Sequence, residues 1–562
     1  MSIKTARSNR RSCRQALTAL TVVFFAGAGA PRVSAQAVVT LEDSVRAIHL
    51  LNRGTFGIGP GDLAAVLSAG RDAWLERQLH PERIRDTLGR SLEQKYPLIG
   101  MSMTETMVRY LPPPRPKQMA GDTAMMAAEK RVKDPKSSPQ SMLIDLASAR
   151  LERAAGTERQ LEEVMTDFWF NHFNVFFQKG ADRYLVADYE RTAIRPNVFN
   201  HFEDLLKATA RHPAMLFYLD NWQSVHVDSS LLAVAASRRR QQPQQPPRRA
   251  GRGLNENYAR ELLELHTLGV DGGYTQKDVV EVARAMTGWT FTQAAAKQGG
   301  QARGRDGDEV AFLFRDQMHD RNEKVVLGHR LRAGRGIQDG EDVLHILATH
   351  PQTARFISTK LVEYFVSDRP SPELVDRLAA VFMRTNGDLR EVTRALFSDP
   401  SFYANENQRS KFKTPFQLLA STLRATDAQI PNSRRMLQTL RTMGHMPYLA
   451  SAPTGYPAMS DDWVNSGAML ARMNFGLEYA SGSLTGGQPL RSIARTAATA
   501  REPGEVIRSA TAVLLPGVNT TQLQRAILED ANATAGDAKQ APRAQYARLI
   551  GLVLGSPEFQ RH

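Results

Sequence analysis

Three stretches of this chain hold residue types that could carry chemistry. The first runs from Asp167 to Gln178 and is otherwise almost wholly aromatic and aliphatic. On a helix advancing about 100° per residue, Asp167, Asn171, Asn174 and Gln178 fall on one narrow stripe. A helix that is apolar on its other sides is buried, and a buried polar stripe is costly unless each group finds a partner. The stripe therefore either meets a second polar surface or lines a wet pocket. His172 is the metal-ligand candidate of the stretch, yet it shares its face with Met165, Phe168 and Phe176, the setting of a core histidine.

The second stretch runs from Asn255 to Gly269, with Asn255 placed to cap a helix and Gly269 to stop it. Glu256, Asn257, Arg260, Glu261 and Glu264 share one polar arc. One reading is a solvated Glu256 to Arg260 to Glu264 ladder at helical spacing. The sharper reading has Glu261 and Glu264 facing the Asn171 stripe, either as ligands of a divalent cation or as acid and base. Beyond Gly269, a glycine-rich turn leads to Thr275 and Asp278 at capping-box spacing. The third stretch is His319-Asp320 with Lys324. Neighbouring His and Asp side chains diverge, so these two do not form a dyad with each other, but His319 could shuttle a proton. The expected arrangement puts Asp167, Asn171 and Asn174 against Glu261 and Glu264, with His319 at one end.

The elements that must position these groups are helices. Helical periodicity dominates, and no run of alternating strands with hairpin turns is visible, so an all-α, multi-helix globular fold is expected. With 562 residues, the chain exceeds what one core usually organises, and two packed helical units are expected, at 38–403 and 411–562. Low-complexity insertions are expected at about 112–140, 238–253 and 293–308.

Residues 1–35 read as a signal peptide. Lys4, Arg7, Arg10, Arg11 and Arg14 precede an apolar stretch, and Val33-Ser34-Ala35 suits cleavage, so an exported protein, periplasmic or extracellular, is expected. The lone cysteine, Cys13, lies inside that segment, which leaves the expected mature chain without a thiolate nucleophile or cysteine metal ligand. The formal charge of +14 is concentrated in the leader and in a tract holding Arg238, Arg239, Arg240, Arg248, Arg249 and Arg252. The remainder is close to neutral, so no nucleic-acid face is expected. No second long apolar run suggests a membrane span.

Further residues tie these stretches to a known family. His49 to Gly57, Phe168-Trp169 with Asn171-His172-Phe173, Tyr218 to Asn221 and Asn255 to Trp289 are joined by His319-Asp320, Lys324, Lys413 with Pro415, Gly455 with Pro457, Trp463, Arg472 to Phe475 and Leu554 to Phe559. On these the chain resembles the bacterial family known as domain of unknown function 1800. Tyr456 departs from the pattern, since similar members usually carry tryptophan there. The resemblance implies an exported helical protein, often encoded beside a second uncharacterised exported protein, and no established activity. Two functions are weighed. One is a binding or scaffold protein for a partner protein or a surface polysaccharide. The other is a metal-assisted or carboxylate-driven hydrolase of an extracytoplasmic polymer, with Glu261 and Glu264 at its centre.

Overall fold

The computed structural model describes residues 40–111, 138–226, 253–292, 309–428, 433–485, 493, 500, 502–534 and 542–562. The expected signal segment, the two later insertions apart from Gly253, and the first insertion up to residue 137 lie outside the described residues. The fold is predominantly all-α. Its principal helices are α1 (Leu41–Gly54), α2 (Pro139–Gly156), α3 (Gln160–His172), α4 (Asp182–Tyr189), α5 (Glu256–Glu261), α6 (Gln276–Ala285), α7 (Pro351–Phe365), α8 (Pro415–Ala425), α9 (Ser466–Ala480) and α10 (Pro542–Gly555). Two antiparallel strand pairs interrupt the helices, Trp289–Phe291 with Phe312–Phe314 and Lys324–Val326 with His329–Leu331. At three residues each, these strands are too short to show the alternation that marks a strand in sequence.

The caps explain where the helices start. Asn255 accepts the amide of Asn257 at the start of α5, and Thr275 with Asp278 forms a reciprocal capping box on α6. Thr414 and Gln417 form another on α8, with Pro415 in the first turn. Helix α5 does not simply run on to Gly269. It passes into a π-helical stretch over Leu262–Thr267, and α4 passes into another over Glu190–Ile194. Gly269 then ends the segment at φ 86°.

The expected boundary between 403 and 411 does not divide the body into two units. Leu41–His562 forms one compact unit. The reason is packing across the expected seam. The main hydrophobic cluster runs from Leu50 to Phe559. Arg424 on α8 donates to the carbonyls of Gly57 and Ala155, and His49 on α1 bonds the carbonyl of Phe402. Lys413 and Gln560 are joined by a backbone hydrogen bond of 2.8 Å. Helices α9 and α10 cross closely because both offer glycine. A Cβ on Gly476 would lie 2.6 Å from the carbonyl oxygen of Gly551.

Candidate functional site

Helix α3 carries the polar stripe on a rod whose remaining sides are buried, with Phe168, Trp169 and Phe170 all nearly inaccessible. The α-helix ends at His172, and Phe173 caps it. Asn174 therefore lies past the helix, yet its amide still points the same way as that of Asn171. Both reach the loop of residues 443–459. Asn171 donates to the carbonyl of Tyr456 and accepts its amide, each at 2.7 Å. Asn174 donates to the carbonyls of Ala450 and Ala452 at 2.9 and 2.8 Å. Gly455 makes the approach possible: it sits at φ 71°, and a Cβ there would be 2.4 Å from Asn171 Oδ1. Gln178 is exposed and takes no part in the stripe.

Asp167, one turn earlier, meets a buried ion network. Arg150 on α2 donates Nη2 to Asp167 at 2.8 Å and Nη1 to Glu190 at 3.0 Å. Its guanidinium lies over the rings of Phe170 and Tyr448, at 4.9 and 5.2 Å. Glu190 also accepts from Tyr448 at 2.8 Å and from Arg195, which grips Glu163 as well. On its other oxygen Asp167 accepts Tyr364 Oη at 3.3 Å, and Gln417 donates to the same hydroxyl. Burial raises the Asp167 carboxyl above the usual range, against the pull of Arg150 and Tyr364. Burial pushes Glu190 the same way, but Arg150 and Arg195 together outweigh it and hold Glu190 low.

Arg150, Asp167, Asn171, Tyr364, Gln417 and Tyr448 line a recess of about 50 Å³ between α2, α3, α7, α8 and the 443–459 loop, and Glu190 stands behind it. Lys411, His445 and His562 reach it as well. His445 stacks on Trp463, with centroids 5.0 Å apart, and lies 4.2 Å from the Tyr456 ring. Burial, then Arg150 and Arg472, lower its pKa to about 3, so it is a neutral imidazole, and its Nδ1 has no partner among the described residues. A second recess of about 340 Å³ adjoins the first and shares Asn171, Tyr364, Tyr456, Pro457 and Ala458 with it. Its walls include His172 and Phe356. Aromatic faces beside planar carboxyl, amide and guanidinium groups suit a ligand rich in hydroxyls, and Asp167 could pass a proton to such a ligand.

The expected contact between the Asn171 stripe and Glu261 with Glu264 is not formed, and neither glutamate lines either recess. The amides of the stripe are met by backbone of the 450–456 loop instead. The arc itself is altered, because the π-helical stretch starting at Leu262 breaks the 100° progression that placed Glu264 beside Glu261. Glu264 accepts Tyr274 Oη at 3.2 Å, and Arg260 reaches Gln276 at 2.9 Å and Glu256 at 3.8 Å. Burial, then the charge of Glu264, raises the pKa of Glu261. Among the described residues no three His, Cys, Asp or Glu side chains converge as a metal site, so these two glutamates gain no third ligand of those types.

His172 is packed as a core histidine. Its Nε2 meets the carbonyl of His266 at 3.1 Å, and burial lowers its pKa to about 4. His319 is not at the end of the stripe and cannot shuttle protons to it. Its ring is sealed, with Nδ1 at 2.9 Å from the Thr287 carbonyl and Nε2 at 3.3 Å from Asp339. Lys324 joins the same Asp339 at 2.7 Å and bonds the Asp320 carbonyl. Asp320 itself is bound by Arg284; burial would raise its carboxyl, but that bond leads the interactions that hold it at about 2. These residues tie the two strand pairs to α6. Arg150, Tyr364, Lys411, His445 and Tyr448 were not singled out from sequence. Arg150 had a readable signal, being a charge flanked on its own face by Leu146, Ala147 and Ala154.

Among the described residues, no helix is long and apolar enough to cross a membrane. No curated protein and no solved structure matches the chain. A family model described as "Protein of unknown function (DUF1800)" matches residues 49–561, nearly the whole chain, and the chain belongs to that family.

Proposed function

We propose that this chain is an exported binding protein whose paired recesses take up a hydroxyl-rich segment of an extracytoplasmic polymer, a surface polysaccharide in preference to a partner protein. One observation carries the reading: Asp167, Asn171, Tyr364 and Gln417 are held in fixed orientation among aromatic rings at an accessible recess. Planar hydrogen-bonding groups beside ring faces match the alternating hydroxyl and C–H surfaces of a sugar. Export rests on the basic and apolar leader at residues 1–35.

A second reading, a carboxylate-driven hydrolase, is favoured by one further observation. A single guanidinium bridges two carboxylates whose environments push them in opposite directions, Asp167 up and Glu190 down, which is the pattern of an acid and its charged neighbour. Asp167 would be the proton donor in that case, rather than Glu261 or Glu264.

Calorimetric titration of the purified protein with fractionated bacterial surface polysaccharides tests both readings. Tyr364→Ala should weaken binding about tenfold or more while the circular dichroism stays unchanged. Equal affinity in the variant and the unaltered chain would sink the recess as the binding site. Asp167→Asn should leave binding within a few-fold, and a loss of polymer cleavage in that variant would favour the hydrolase.

A further inference from the structure

A second, separate cluster is built from cations. The segments 411–413 and 560–562 pair through an isolated bridge between Phe412 and Arg561, with Lys413 N donating to Gln560 O at 2.8 Å and His562 N to Lys411 O at 3.0 Å. This pairing draws Arg53, Arg409, Lys413 and Arg472 together beneath it. Arg53, Lys413 and Arg472 are 2, 6 and 1% exposed. With the described residues, none of the four forms an ion pair; their partners are backbone carbonyls, a serine hydroxyl and a glutamine.

Lys413 Nζ donates to the Phe559 carbonyl at 2.8 Å and lies 4.2 Å from the centre of the Phe559 ring. An ammonium carries three donors, so this leaves it short of partners. Arg53 Nε and Nη1 and Arg472 Nε have no partner among the described residues. Arg409, Lys413 and Arg561 open on a pocket of about 20 Å³ that Arg53 and Arg472 do not line, and Glu558, whose Oε2 has no partner among the described residues, supplies the one carboxylate of that lining.

Asp368 and Glu558 act on Arg53 and Arg409 through their charge without forming an ion pair, and buried positive charges compensated only in this way are destabilising. Loss of the Lys413 proton is one relief, and burial, followed by the charges of Arg409 and Arg472, does push its pKa down to about 7. That relief is incomplete, because guanidinium groups keep their protons and would remain uncompensated.

We propose that the pocket lined by Arg409, Lys413, Arg561 and Glu558 binds a single halide-sized anion, chloride in the natural setting. Charge selects the class, since three cationic side chains and one carboxylate line the pocket, and its space of about 20 Å³ accommodates a monatomic ion. The ion completes the donor shell of Lys413 and lowers the mutual repulsion of the guanidinium groups behind it.

The test compares thermal unfolding of the full chain in sodium chloride and in sodium gluconate, a bulky and weakly binding anion, at one ionic strength. Crystals soaked in sodium bromide locate the ion. The midpoint should rise with chloride and saturate, Lys413→Met should abolish that dependence, and bromide should appear within hydrogen-bond reach of Lys413 Nζ. Equal midpoints in the two salts with no bromide at Lys413 would overturn the proposal, as would a chloride dependence that survives in Lys413→Met. Should Lys413→Met fail to fold, the bromide position in the unaltered chain decides.

Discussion

His445 shows how the site's residues divide between packing and chemistry. Its ring completes a stack with Trp463 and Tyr456, so the position needs a flat side chain, yet imidazole brings a titrating group into a dry place. Unfolded, it takes up a proton below its ordinary value of 6.5; folded, burial holds it neutral down to about 3. The unfolded chain therefore binds the extra proton in that window. The contribution is full above pH 6.5 and is lost as pH falls toward 3, by about 1.4 kcal/mol per pH unit. His445→Phe keeps the ring and removes the proton site. It should alter stability at pH 7 by less than about 1.5 kcal/mol and flatten the fall of the urea midpoint below pH 6.5 by one proton. An unchanged slope would show that His445 is protonated in the fold. The polar stripe on α3 was legible because amides stood out against aromatic neighbours. Its partners were not, because backbone carbonyls of Tyr456, Ala450 and Ala452 leave no mark in residue identity.

Elements explain both the successes and the failures of the sequence reading. Caps at Asn255 and Thr275 are local chemistry, where a side chain bonds an amide two or three residues on, and such signals survive without knowledge of the fold. The π-helical stretch at Leu262–Thr267 is different. Nothing in Leu-Leu-Glu-Leu-His-Thr declares a wider turn, and tertiary contacts such as His172 on the His266 carbonyl act on it. Helix crossings give a sharper prediction. Where α9 meets α10, a Cβ on Gly476 would sit 2.6 Å from Gly551 O and 3.0 Å from Gly555 N, both backbone atoms that cannot rotate aside. Gly476→Ala should therefore cost about 1–3 kcal/mol in denaturant unfolding, despite the better helix propensity of alanine. A stabilised variant would mean that the crossing is looser than the geometry described.

At the scale of the molecule, the division expected at residues 403–411 coincides with a polar run, Asn405 to Ser410, whose composition is that of a linker. The run is instead anchored: Asn407 Nδ2 donates to the Ser401 carbonyl at 2.7 Å, and the Asn407 carbonyl accepts from Arg53 at 3.1 Å. Polarity marked the run as exposed, while its bonds to α1 could not be read from composition. The consequence concerns cooperativity. The recess is walled by α2, α3 and α7 before this run, and by α8 and the 443–459 loop after it. Removing the later half would expose the packed face of α2 and strip the partners from Asn171 and Asn174, leaving buried amides unsatisfied at about 1–3 kcal/mol each. Loss on that scale exceeds the margin of most proteins, so neither half should hold its structure alone. Leu41–His562 should accordingly unfold in one transition, with the near-ultraviolet signal of the tryptophans, among them Trp169 before the run and Trp463 after it, coinciding with far-ultraviolet loss of helix. Two separated transitions, or a stably folded fragment ending near residue 410, would contradict the single core and return the seam to the place the polar run suggests.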